Sequence, residues 1–130
     1  MGYRSAVEAV FYTRNEEEWP ILKLYIDENF PKFWADEGDE DTLKPIKATN
    51  VWGYHFIANN VKWYESYPEI QEFNEFVVKF NQLLAENERA RPTWAFEFVR
   101  LGEEMNDIEE ERSENAEFIL CVSRDIQLLT

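Results

Sequence analysis

Carboxylates are the chemically active side chains that this 130-residue chain holds in greatest number: 27 Asp and Glu stand against 13 Lys and Arg and one His, for a formal net charge of −14. Two short stretches hold most of the excess. Asp36, Glu37, Asp39, Glu40 and Asp41 form the first, and Glu103, Glu104, Asp107, Glu109, Glu110, Glu111, Glu114 and Glu117 form the second with Arg112 as its one cation, so twelve of the fourteen net charges lie in two segments. Clustered carboxylates can bind Ca²⁺ or Mg²⁺, because hard cations want several oxygen ligands. The run from Asp36 to Asp41 lacks the ligand ladder and closing glutamate of an EF-hand. A solvated loop that attracts cations loosely is the simpler reading, and no metal site or cofactor is assigned.

Paired carboxylates also serve as acid and base in glycoside hydrolysis, but only where their environments push the two pKa values apart. Surface segments crowded with acids provide no such contrast. Glu65 and Glu97 stand within aromatic stretches and are better candidates, although alternation places them most simply on an open sheet face. His55, between Tyr54 and Phe56, is the single histidine, and no Ser or Cys nucleophile is placed near a base by any motif. A packed strand histidine is the simpler reading of it. Four glycines cannot build a phosphate-cradling loop, and neither G-x-x-x-x-G-K nor G-x-G-x-x-G occurs. The chain is therefore expected not to be an enzyme.

Charge segregation points instead to a partner. Like charges held together repel and oppose compaction, so their concentration is a means of presenting a negative field. With a sequence pI near 4.4, direct binding to nucleic acid or to an anionic membrane is disfavoured, and basic proteins or nucleoprotein complexes are favoured.

The elements that must carry these residues are legible from periodicity. Aromatic residues make up 16% of the chain, which is ample for one packed domain over residues 1–130 and unlike a disordered acidic tail. Glu8 interrupts the N-terminal apolar run before a signal-peptide core forms, and no run approaches a membrane span, so a cytoplasmic protein is expected. The lone Cys121 excludes an internal disulfide and is expected to be a buried, inert thiol. Residues 5–12 alternate as a strand. Asn15 before Glu16, Glu17 and Glu18 reads as a helix start, with Pro20 delaying the regular helix and Pro31 kinking or ending it. Leu22, Ile26, Phe30 and Phe33 share its apolar face. A long loop follows over 34–50. Two aromatic strands, 51–58 and 61–65, are then expected around an Asn59-Asn60 hairpin turn. Ser66-Tyr67-Pro68-Glu69 opens a second helix with Ile70, Phe73, Val77, Phe80 and Leu84 on its buried face. Residues 94–101 alternate as a strand, with 118–124 as the expected hairpin partner across the second acidic loop.

This order predicts an α+β fold: a ferredoxin-like β-α-β-β-α-β plan with an additional C-terminal edge strand, its antiparallel sheet covered by two helices on one face. In that topology both acidic segments, the Glu65-Ser66 corner and the N-terminus converge on one pole. The opposite sheet face would be uncovered: if Val51, Gly53, His55 and Ile57 face the helices, Trp52, Tyr54, Phe56 and Tyr64 form an aromatic interface for a homodimer or a partner, and the reverse assignment of the two sets is equally open.

Three segments resemble small acidic proteins of tailed bacteriophages: Gly2-Tyr3-Arg4-Ser5-Ala6-Val7, Lys62-Trp63-Tyr64-Glu65-Ser66-Tyr67-Pro68, and Phe98-Val99-Arg100-Leu101-Gly102-Glu103 with Asp107-Ile108-Glu109 beyond. The resemblance implies a phage product acting in the host bacterial cytoplasm, where small acidic folds block nucleases, defence complexes or polymerases. The leading expectation is a non-enzymatic inhibitor that mimics nucleic-acid charge and binds a basic host protein. Its contact residues would be Asp36, Glu37, Asp39, Glu40, Asp41, Glu103, Glu104, Asp107, Glu109, Glu110 and Glu111. The rival is a protein that sequesters a small ligand or nucleotide second messenger at the aromatic face or a dimer cleft, with Arg4, Arg89, Arg91 and Arg100 as anion donors.

Overall fold

A computed structural model describes residues 3–36, 42–46, 48–86, 93–104, 106–122 and 126–128. The elements run β1 (Ser5–Thr13), a 3-10 turn (Glu16–Glu18), α1 (Trp19–Asn29), α2 (Lys32–Asp36), β2 (Leu43–Pro45), β3 (Trp52–Val61), α3 (Pro68–Glu86), β4 (Trp94–Leu101), β5 (Ile108–Arg112), β6 (Leu120–Val122) and β7 (Ile126–Leu128). The fold is α+β. Five strands form an all-antiparallel sheet in the order β2-β3-β1-β4-β5, and β6 and β7 form a separate two-stranded ladder.

β1 lies at the centre because it is apolar on both sides. Val7, Ala9 and Phe11 face the helices, while Val10 and Tyr12 face the other way. On the helix side, these residues meet Tyr54 and Phe56 of β3, Phe96 and Phe98 of β4, and Phe73, Phe76, Val77 and Phe80 of α3. Ring pairs there are edge-on or tilted, with Phe56 and Phe73 centroids 4.9 Å apart and Phe11 and Phe76 5.3 Å apart, the arrangement that aromatic quadrupoles favour. Asn15 accepts from the Glu17 amide at 3.0 Å and starts the first helical turn, as its side-chain oxygen suits. Pro20 then stands near the start of α1, where its missing N–H costs no helical bond. α3 begins at Pro68, with the Tyr67 carbonyl accepting from Ile70 and Gln71.

Several sequence expectations are corrected. There is no hairpin at Asn59-Asn60; residues 52–61 form one strand, and its hairpin neighbour β2 lies inside the stretch read as a loop. The positive φ expected of this pair does occur, at 57° for Asn60. It serves a β-bulge, where the register changes between Ser5↔Val61 and Val7↔Ala58. Phe33 is 41% exposed and Trp34 is buried in its place, because the chain breaks at Phe30-Pro31 and α2 restarts with a new phase. The second acidic segment is also not a loop throughout: Ile108–Arg112 is strand β5, paired to β4. Of the expected β4 partner, 118–124, the described residues 118–122 instead cross the helix-free face: Leu120–Val122 is strand β6, paired to β7 and not to β4, and Ile119 and Leu120 bury against Val10, Tyr12, Ala95 and Val99.

That last arrangement removes the proposed aromatic interface. Tyr54 and Phe56 point toward the helices and are 8% and 0% exposed, and Trp52 shares their side of β3 by alternation. Tyr64 lies beyond β3, where its hydroxyl accepts from the Tyr3 amide at 2.7 Å. The aromatic side is thus the core, and the C-terminal segment covers the other side.

Phe73, fully buried at the centre of the aromatic cluster, sets the first prediction. Phe73→Ala should lower the unfolding free energy by about 3–5 kcal/mol, read as a shift of denaturant midpoint at unchanged m-value. Val78→Ala on the exposed face of the same helix should stay within about 0.5 kcal/mol.

Candidate functional site

Three segments meet at the end of the sheet where β1 begins. The Tyr3 hydroxyl donates to Asp107 Oδ2 at 2.6 Å and accepts from the Glu104 amide at 3.0 Å, and the Arg4 amide donates to Glu103 Oε1 at 2.7 Å. With Tyr64 also bound to Tyr3, the N-terminus, the corner after β3 and the β4–β5 turn form one acidic pole. Gly102 leaves room at this turn for the Tyr3–Asp107 bond, since a Cβ there would meet the Asp107 carboxylate, with its Cγ 2.7 Å away, and would have to displace it. Glu37, Asp39, Glu40 and Asp41 lie outside the described residues, as does the side chain of Asp36.

From the pole the acids continue along β5. Antiparallel pairing sets Glu109 opposite Arg100, Glu110 opposite Val99, Glu111 opposite Phe98 and Arg112 opposite Glu97. Arg100 donates to Asp107 Oδ1 at 2.8 Å, Glu109 Oε1 at 3.0 Å and Ser5 Oγ at 3.2 Å. These bonds, Asp107 first, raise the Arg100 pKa above its ordinary value, and the Arg100 and Tyr3 bonds hold Asp107 below the carboxylate value of 3.8. Such opposite-charge cross-strand pairs explain why a run of glutamates is a strand at all.

Alternation divides β5 between two environments. Glu110 and Arg112 lie on the helix-free side, where Arg112 bonds Glu110 at 2.7 Å and Glu97 at 3.0 Å and packs over the Phe118 ring at 4.4 Å. Glu109 and Glu111 lie on the helix side. There the sheet extends past α3 and leaves a groove of about 400 Å³, floored by Phe73, Val77 and Phe98 and walled by Trp63 and Tyr64. Four carboxylates, Glu65, Asp107, Glu109 and Glu111, reach it against the single Arg100 guanidinium. Among the described residues, Glu65, Glu104 and Glu111 make no ion pair.

Glu97 is the residue that sequence reasoning misplaced. It faces away from the helices as alternation required, yet it is 0% exposed because the C-terminal segment lies over it. Its Oε2 accepts from the Tyr12 hydroxyl at 2.6 Å and the Ile119 amide at 3.0 Å; its Oε1 accepts from Arg112 Nε at 3.0 Å and the Leu120 amide at 3.1 Å. Burial, with the Glu97 bond, raises the Tyr12 pKa far above its ordinary value. A carboxylate with this many donors is built for structure, since no oxygen is left to attack or to take a substrate proton. His55, 7% exposed, contacts Glu8 Oε1 at 2.5 Å, and among the described residues no nucleophile approaches it.

Among the described residues no group of three or more His, Cys, Asp or Glu is arranged to hold a metal ion, and no helix is long and apolar enough to cross a membrane. Arg100 is consumed by its acidic neighbours, and Arg89 and Arg91 lie outside the described residues. The side chain of Cys121 lies outside them too. Comparison with protein-family models, with curated proteins and with solved structures gives no match.

Two outcomes are expected. Glu97→Leu should cost about 3–5 kcal/mol in urea unfolding, because it strands a buried guanidinium and three other donors. The double variant Glu97→Leu/Arg112→Leu should recover part of that loss, and a double-mutant cycle measures the coupling. Asp107, with a depressed folded pKa, contributes stability that is complete above its unfolded value and lost as pH falls through the folded one. Thermal melts from about pH 6 to pH 2 should therefore show an acid limb below about pH 4 that is shallower in Asp107→Asn.

Proposed function

We propose that this chain is a non-enzymatic binding protein whose acidic pole and β5 edge occupy the electropositive, nucleic-acid-handling surface of a basic partner. The observation that carries this reading is that Glu109, Glu110 and Glu111 stand consecutively on an exposed strand. A strand advances about 3.4 Å per residue and one strand of a DNA duplex carries one phosphate per about 3.4 Å of axis, so the three glutamates repeat along β5 at the axial spacing of phosphates, on alternating sides of the strand. A flexible acidic loop would not hold that spacing. Glu103 and Glu104 add acids at the turn, and Arg100 and Arg112 fix Glu109 and Glu110.

The resemblance to small acidic tailed-phage proteins supports an inhibitor of a host nuclease, polymerase or defence complex, acting in the bacterial cytoplasm. The neighbour order β2-β3-β1-β4-β5, with β1 paired to both β3 and β4, supports a ferredoxin-like split βαβ arrangement with β5 added beside β4. The added strand is thus the acidic one.

Affinity capture from bacterial lysate tests the reading, comparing the wild type with Glu109→Lys/Glu110→Lys/Glu111→Lys after circular dichroism has shown the variant to be folded. The wild type should retain a basic nucleic-acid-binding protein that is released by about 0.5 M salt, where charge interactions are screened beyond a few ångströms. Purified, that partner should lose its DNA in proportion to added wild-type protein. Recovery of the same proteins by both forms, or of none by either, would rule the charge-mimic reading out.

A further inference from the structure

We infer that the groove between α3 and β5, together with the open edge of β5, is a docking site for an extended basic segment of a partner protein, whose backbone adds to β5 as a sixth strand. This rests on the reading of an acidic binder and names the feature it would grip. β5 is the last strand of the sheet, and Ile108 to Glu111 are exposed. Open edges are templates for further strands. At the opposite edge, β2 carries Lys44 and Pro45, and a proline there removes a backbone donor and discourages pairing. β5 has no such block, only charge.

Charge selects the occupant. A second copy of β5 would set glutamate against glutamate, and like charges directly opposite are destabilising. A segment with lysine or arginine at alternate positions would place its cations beside Glu109 and Glu111, on the side where the groove opens. The floor of Phe73, Val77 and Phe98 suits the methylene stems, and Glu65 stands across the groove to meet a charged head. Long cationic side chains favour this combination of apolar stem contact and polar tip. Trp63 and Tyr64 add aromatic wall against which a cation is attracted. An anionic nucleotide would find four carboxylates there and one guanidinium already bonded to Asp107 and Glu109.

The test uses the whole purified chain and the peptide acetyl-Lys-Val-Lys-Val-Lys-Val-Lys-amide, with binding followed by tryptophan fluorescence and by amide chemical shifts of β5. Three variants are compared. Asn74→Trp, on the exposed face of α3 at the groove, fills the groove without changing charge; Glu109→Gln/Glu111→Gln removes the rim charge and keeps the shape; Glu104→Lys/Glu110→Lys/Glu114→Lys alters the acids outside the groove. The proposal expects both groove variants to weaken binding at least tenfold and the third variant to weaken it only a few-fold. A peptide N-methylated at alternate residues should likewise lose at least tenfold, because strand addition needs its amides. Binding that survives both groove variants, or that survives N-methylation, would overturn strand docking and leave a diffuse charge contact, the acidic-binder reading standing. No binding of the peptide by the wild type would also overturn it, while partner capture from lysate judges the broader reading separately.

Discussion

The burial of one carboxylate organises this molecule. Taking Glu97 out of water costs several kcal/mol unless its charge is matched and its lone pairs are filled, and both conditions are met by groups from three separate parts of the chain. Tyr12 comes from β1, Arg112 from β5, and the Ile119 and Leu120 amides from the segment beyond it. Each donor is useful only where the others are in place. The same requirement that satisfies Glu97 therefore fixes the register of β5 on β4 and pins the C-terminal segment across the sheet.

This constraint reaches the acidic edge. Arg112 opposite Glu97 at one end of β5, and Arg100 opposite Glu109 near the other, hold a run of glutamates in extended form. Without those two arginines the run would repel itself and solvate as a loop. The negative surface is consequently a rigid feature with alternating sides. One side belongs to the buried polar network, and the other to the groove beside α3.

Periodicity revealed the elements whose patterns are set locally. β1 and β4, the buried stripe of α3 and the Asn15 cap were all readable, because strand alternation, helical spacing and capping are short-range signals. β2 and β5 were not. Leu43–Pro45 is too short to show a period, and Ile108–Arg112 is a strand only because of partners on β4. Asn60 illustrates the middle case: its tolerance of positive φ was legible, but whether that served a turn or a bulge depended on β1 alongside it. The acidic character of the site was plain from the residues, whereas its groove was hidden, since Phe73 and Phe98 read simply as core. The covered sheet face was missed for a similar reason. Ile119 and Leu120 looked like a strand, and nothing local said that their amides would be spent on a distant side chain.

Phe118 ties the C-terminal segment to the state of the sheet. It adopts φ 59° with its ring 62% exposed over Arg112, a left-handed conformation that a bulky residue reaches only at a cost of about 1–2 kcal/mol. That strain is offset once the next two amides have an acceptor. That acceptor is the Glu97 carboxylate of β4, which Tyr12 of β1 and Arg112 of β5 also hold, so the segment locks only where the three strands are in register. The Ile119 and Leu120 amides, buried and bonded to Glu97, exchange only when that network opens. The hidden carboxylate thus works as a latch, and Ile119 and Leu120 close only where the sheet beneath them is complete.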